Sequence, residues 1–235
     1  MQLRRILGSV LVSVLLVAGA CGDDDGDKEQ AGSADDQLVG LFKLDPGQCA
    51  DGGITAGSSF RMINPGGKIG EGPFISNGDS PCADKTYSPM FPGSDGGLRT
   101  GAYQAEVAPP FDGGGNGTTE TIAKGVPFFA VRFAVATNEK DPQTGGNSAL
   151  PTISVKDGKV SGNLAAFAAS WNNQHFNQGS PKPDGSMPGL TAGPSGTYDS
   201  ATKKFSFEWS SQIIGGPFNN FTGIWRFEGT FEPKS

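Results

Sequence analysis

Histidine is nearly absent from this sequence: one residue, His175, serves the whole chain. Multi-histidine metal centres are excluded, and a Ser–His–acid hydrolase would have to be built on that single side chain. Cysteine is scarce as well. Cys21, Cys49 and Cys82 are the whole set, and no Cys-x-x-Cys occurs, which argues against zinc ribbons and dithiol redox motifs. There is no Gly-x-Ser-x-Gly nucleophile elbow. No apolar run approaches the ~20 residues that a membrane-spanning helix needs. Positive charge is sparse and spread out, with 18 Lys and Arg against 24 Asp and Glu. Without a basic stripe, nucleic-acid binding is not expected.

What the chain does have is turn chemistry between aromatic runs. Gly 37 and Pro 17 punctuate a sequence that carries Phe 16, Trp 3 and Tyr 3. Disordered chains lack aromatics, so this composition implies short strands and many turns. The expected fold is all-β, an antiparallel β-sandwich or barrel-like domain with long Gly/Pro-rich loops.

The first residues read as an address. Arg4 and Arg5 precede a mostly apolar stretch from Ile6 to Val17, the pattern of a secretory signal. It ends in Val17-Ala18-Gly19-Ala20-Cys21. This ending resembles the lipobox of bacterial lipoproteins, although Ala18 stands where that family usually has Leu. The resemblance implies cleavage after residue 20 and a diacylglycerol on Cys21, so the membrane is an expected partner through a lipid anchor. An ordinary signal peptide cut after Ala20, with an incidental cysteine, is the alternative.

Residues 22–37 hold seven acids and one lysine. Such a self-repelling stretch stays extended, so residues 21–37 are expected to form an acidic tether. Residues 38–235 are then expected to form one β-rich domain outside the cytoplasm, anchored to the outer face of the cytoplasmic membrane. With Cys21 lipidated, Cys49 and Cys82 remain as an even pair, and an extracytoplasmic compartment permits a disulfide.

Within the domain, Asp157-Gly158 between two short apolar segments predicts a tight hairpin. Val126 to Thr137 alternates Phe129, Val131, Phe133 and Val135 with Phe128, Ala130, Arg132, Ala134 and Ala136. Both faces are largely apolar, which predicts a central strand. Ser58 to Ile63 predicts a strand that Pro65-Gly66-Gly67 ends. Asn163 to Trp171 permits helix or strand, and its place after a hairpin favours strand. Phe205, Phe207 and Trp209, then Trp225, Phe227 and Phe231, fall on period-2 faces on either side of a Gly/Pro loop. They predict an antiparallel pair over the core, with Glu208 and Arg226 on the outer face.

Gly196-Thr197-Tyr198-Asp199, the run Trp209 to Asn219, and Phe221-Thr222-Gly223-Ile224-Trp225 are similar to a motif in β-rich secreted and surface proteins of bacteria, actinobacteria in particular. The likeness covers residues 159–231. It implies a β-rich fold and carries no activity.

For function, the most informative cluster is Trp171-Asn172-Asn173-Gln174-His175-Phe176-Asn177-Gln178. Rings can stack on the apolar face of a sugar while carboxamides read its hydroxyls. Trp171, Asn172, Asn173, His175, Phe176 and Asn177 are therefore candidate ligand-binding residues, and Asn219 and Asn220 could join them from the C-terminal loop. The plainer alternative puts Trp171 and Phe176 in the core and uses the amides to turn the chain. Asp84, Asp95, Asp112 and Asp141 sit in Gly/Pro loops where calcium could bind, but no spaced ligand motif accompanies them.

No catalytic residue stands out and no cofactor is called for. The sequence thus favours a non-catalytic binding or interaction module for a glycan, a lipid or an envelope protein. A cell-envelope hydrolase acting on glycans or lipids, and a purely structural envelope protein, are the competing classes.

Overall fold

Alternation at two aromatic strands builds the centre of the fold. In the computed structural model, which describes residues 36–50 and 52–234, these are β16 (Lys204–Gln212) and β17 (Thr222–Pro233). They pair antiparallel, with Phe207 opposite Phe227, Glu208 opposite Arg226 and Trp209 opposite Trp225. The rings point to one side and are buried. The expected signal segment, Cys21 and the expected tether up to residue 35 lie outside the described residues, which all fall in one compact unit. Asp36 and Gln37, expected to close the tether, instead belong to a strand, Asp36–Leu38, that pairs with residues 153–155.

The remaining strands, in chain order, are β1 (Asp36–Leu38), β2 (Gly40–Leu44), β3 (Gln48–Ala50), β4 (Gly53–Ala56), β5 (Ser59–Lys68), β6 (Gly72–Phe74), β7 (Ser88–Pro92), β8 (Gly97–Arg99) and β9 (Ala123–Gly125). There follow β10 (Ala134–Thr137), β11 (Thr152–Lys156), β12 (Lys159–Asn163), β13 (Phe167–Trp171), β14 (Gln174–Asn177) and β15 (Ala192–Tyr198). The large sheet runs β1-β11-β12-β15-β16-β17-β5-β7-β9 and curls into a half-barrel. β17 is long enough to pair β16 along one edge while its other edge serves β5 first and then β2. A second sheet, β10-β13-β14, covers the concave face. Phe167 of β13 is fully buried there, its ring 5.0 Å from Trp209 and 5.1 Å from Trp225. The fold is all-β and matches the expected sandwich or barrel-like class.

Local expectations fared unequally. Asp157 and Gly158 both take positive φ and close the β11–β12 hairpin, the geometry that favours Asp-Gly. Cys49 and Cys82 form the expected disulfide across a sequence separation of 33. It ties the β3–β4 ribbon to the loop that carries Asn77 and Ser80. β13 is a strand, but it starts only at Phe167, after a turn at Leu164–Ala166. Pro65-Gly66-Gly67 does not end β5, which continues to Lys68 through an irregular register against β6.

The strand expected over Val126–Thr137 needs correction. Only Ala134–Thr137 is strand. Phe129 and Ala130 adopt φ 51° and 63°, and Phe128 and Val131 exchange backbone hydrogen bonds across them. The turn is pinned twice. Ala130 N–H donates to the Asp79 carboxylate at 2.6 Å, and Trp171 Nε1–H donates to the Phe128 and Val131 carbonyls at 2.8 and 3.1 Å. These long-range contacts outweigh the β-propensity of an apolar run, and Phe129 is left half exposed.

Candidate functional site

The structure separates the rings of the candidate cluster from its amides. Trp171 ends β13, and Asn172 and Asn173 form the two-residue turn into β14, with φ 50° and 58°. Both amides project at an exposed tip. On β14 the period of two then sends Phe176 to the core and His175 and Asn177 to the other face. Trp171 and Phe176 both pack edge-to-face on Phe218 of the β16–β17 loop, at 5.6 and 5.8 Å. They line a cavity of about 40 Å³ with Phe60, Phe128 and Phe133, room for little more than a water or two. Asn219 and Asn220 are exposed on the same loop and do turn chemistry. Asn219 Oδ1 accepts from Gly215 N–H at 2.7 Å, and Asn220 Oδ1 accepts from Gln212 Nε2 at 3.1 Å.

His175 meets an acid and a hydroxyl. Its Nδ1 is 3.0 Å from Ser170 Oγ and 3.4 Å from Glu106 Oε2, and Ser170 Oγ–H donates to Glu106 Oε1. A catalytic triad places serine on one imidazole nitrogen and acid on the other. Here both converge on Nδ1, so the histidine cannot relay a proton from serine to a second face. Phe111 packs on the ring at 5.0 Å, and the cluster pins the 104–118 loop to β14.

Asn177 leads to a roomier site. It is buried, and its carboxamide stands between a carboxylate and an ammonium. Asn177 Nδ2 donates to Asp141 Oδ1 at 3.0 Å, while Asn177 Oδ1 accepts from Lys182 Nζ at 3.3 Å. Lys182 Nζ also donates to the Asn177 carbonyl at 3.0 Å and to Ser211 Oγ at 2.7 Å. The other Asp141 oxygen accepts from Thr144 N–H at 2.9 Å and Thr144 Oγ–H at 2.6 Å. Lys182 is 7 % exposed. Burial pulls its pKa from 10.5 down to about 8, while Asp141 and Asp184 hold it up.

The neighbouring segment is fixed to the large sheet. Gln178 accepts both buried indole N–H groups, from Trp209 at its carbonyl and from Trp225 at Oε1, at 2.9 and 3.0 Å. Gly223 makes that approach feasible, because a Cβ there would come within 2.0 Å of Gln178 Oε1.

Over this network lies a groove of about 600 Å³, within the usual range for ligand sites. Gln143, Thr144, Asn147, Asp184 and Ser186 supply its polar edge, and Pro183, Pro188 and Ile214 supply apolar surface. The wall is rigid: Gln143 Oε1 accepts from Asn177 N–H at 2.6 Å, and its Nε2 donates to the Ile214 carbonyl at 2.9 Å. Asp184 takes two hydrogen bonds from Ser186, which with Lys182 nearby lower its pKa and keep it ionised.

Lys182 beside Ser211 has the composition of a serine–lysine catalytic pair but not its accessibility. Ser211 is fully buried, and its hydroxyl donates to the Gly179 carbonyl at 2.8 Å. Lys182 spends its donors on three fixed acceptors. The pair braces the groove and presents no nucleophile to it.

Sequence reasoning reached Asn177 and missed Lys182, Asp184, Gln143 and Asn147. Ser-Pro-Lys-Pro-Asp-Gly at 180–185 reads as a turn, and no spacing marks its lysine as buried. The aspartates weighed for calcium accept hydrogen bonds within the fold, Asp95 from Gln104 Nε2 at 3.0 Å. Asp84 accepts from Thr86 N–H, Asp112 from Gly114 and Asn116, and Asp141 from Thr144 and Asn177. Among the described residues no group of three or more His, Cys, Asp or Glu is placed to hold a metal. Nor is any helix there long and apolar enough to cross a membrane. The chain matches no protein-family model, no curated protein and no solved structure.

Proposed function

We propose that this protein is a binding module held outside the cell membrane by a lipid on Cys21, and that it takes a glycan in the groove above Lys182. The observation that carries the reading is a rigid, sugar-sized groove. Its amide, hydroxyl and carboxylate edge faces proline and isoleucine surface, which combines hydrogen-bonding groups for hydroxyls with an apolar wall for the ring face. Asn147 and Asp184 stand exposed at its rim and act as the recognition groups. Asn177 and Lys182 act beneath them as supports. The acidic stretch behind Cys21 sets the domain off the lipid headgroups.

Two experiments test the two halves of this reading. Purified protein screened against bacterial envelope saccharides should bind at least one of them, and Asp184→Ala or Asn147→Ala should weaken that binding at least tenfold. A complete absence of saccharide binding removes the glycan assignment. Metabolic labelling with a fatty-acid probe should mark the wild type and not Cys21→Ser, and equal labelling of the variant removes the anchor.

A further inference from the structure

A second concavity, of about 170 Å³, lies on the opposite, outer face of the large sheet. It is floored by Ile224 of β17 and Glu208 of β16, and bordered by Arg61 of β5, Ile54 of β4, Ile69 of the β5–β6 hairpin and Arg226. Its charged groups are unusually placed. The Arg61 guanidinium is clamped between two rings, 3.4 Å from the Phe74 centroid and 4.0 Å from that of Tyr87. Its Nη1 donates to Tyr87 Oη at 3.1 Å and its Nη2 to Thr86 Oγ1 at 2.8 Å. Both partners are neutral, and Arg61 Nε is buried with no acceptor. Among the described residues, no carboxylate comes within ion-pair distance of Arg61.

Glu208 shows the complementary condition. It lies directly opposite Arg226 in register, yet Arg226 turns its Nη2 to Glu228 at 2.7 Å instead. The Glu208 side chain is exposed to solvent and makes no ion pair or hydrogen bond within the described residues. A fixed cation and an exposed carboxylate thus border one small cavity with no ion pair between them. Leaving the buried Arg61 Nε without an acceptor costs stability, and a guest that carries both charges would meet the cation and the carboxylate together.

We propose that this cavity binds a small zwitterion, an α-amino acid with an aliphatic side chain. The carboxylate lies toward Arg61 and Arg226, the ammonium toward Glu208, and the side chain against Ile54, Ile69 and Ile224. The cavity's size fits a single free amino acid and not a polymer, so the site is independent of the glycan groove on the other side of the fold.

Calorimetric titration of the full-length purified protein tests this with three probes: L-valine, isobutyrate and isobutylamine. Valine should bind, and the two single-charge analogues should bind at least tenfold more weakly. Glu208→Gln, which keeps the shape of the side chain, should weaken valine at least tenfold while leaving isobutyrate unchanged or improved. Arg226→Gln should weaken valine and isobutyrate alike. Three results would each overturn the proposal: no valine binding at millimolar concentration, isobutyrate binding as tightly as valine, or valine binding that survives both substitutions unchanged.

Discussion

Replacing Lys182 with methionine should remove a pH response that the stability of the wild type shows. Lys182 is buried with its ammonium on Asn177 and Ser211, and its pKa is about 8 in the fold against 10.5 in the unfolded chain. Between those values the unfolded chain binds the extra proton. Wild-type stability must therefore rise with pH there, and the contribution is lost as pH falls through 8. At about 1.4 kcal/mol for each tenfold change in proton activity, the gain from pH 7 to pH 9.5 is roughly 2 kcal/mol, approaching ~3 kcal/mol above pH 10.5. Lys182→Met has no such group. It also removes the donor to the Asn177 carbonyl and to Ser211 Oγ, a loss of roughly 1 to 3 kcal/mol. Urea unfolding followed by the fluorescence of Trp209 and Trp225, run on both proteins at pH 7, 8.5 and 9.5, reads the difference. Taking the difference cancels tyrosine and other shared titrations. A gap between wild type and variant that stays flat or narrows as pH rises would refute the assignment of Lys182 as a charge buried at a cost.

Cys82→Ser opens a covalent loop with a sequence separation of 33 and should cost about 3 to 4 kcal/mol. Chemical denaturation of the variant, compared with the wild type with and without reductant, measures it, and equal stability in all cases counts against a stabilising disulfide. Trp171→Phe keeps a ring against Phe218 but removes the N–H that holds the Phe128 and Val131 carbonyls. It should cost roughly 1 to 3 kcal/mol and speed amide exchange at Phe129 and Ala130, where unchanged exchange would show that the turn is held from elsewhere.

The parts of the fold that could be read in the sequence are those whose signal is local. Asp157-Gly158 dictates its own turn, and the alternation at Phe205–Trp209 and Trp225–Phe231 fixes a face without help from distant residues. The Val126–Thr137 stretch misled because the groups that bend it, Asp79 and the Trp171 indole, are dozens of residues away. The site divides along the same line. Trp171 and Phe176 announced themselves by type, but whether a ring faces a sugar or another ring depends on Phe218 in a later loop. Lys182 is ordinary in sequence. Only the convergence of Asn177, Ser211 and Asp141 from separate segments makes it a buried cation, and Glu208 and Arg226 looked like a routine cross-strand pair until Glu228 was seen to claim the arginine.

The long strand β17 carries a consequence for how the molecule is made. Its three hydrogen-bonded neighbours, β2, β5 and β16, all precede it in the chain. Until residues 222–233 emerge, β2 and β5 have no strand to join them to β16, and the rings of Phe60 and Phe42 have no completed sheet to close over. Pairing across so wide a sequence separation is intrinsically slow. The large sheet therefore stays open until residues 222–233 have been made, and whatever hairpins form earlier, β2 and β5 remain unjoined to β16 until then.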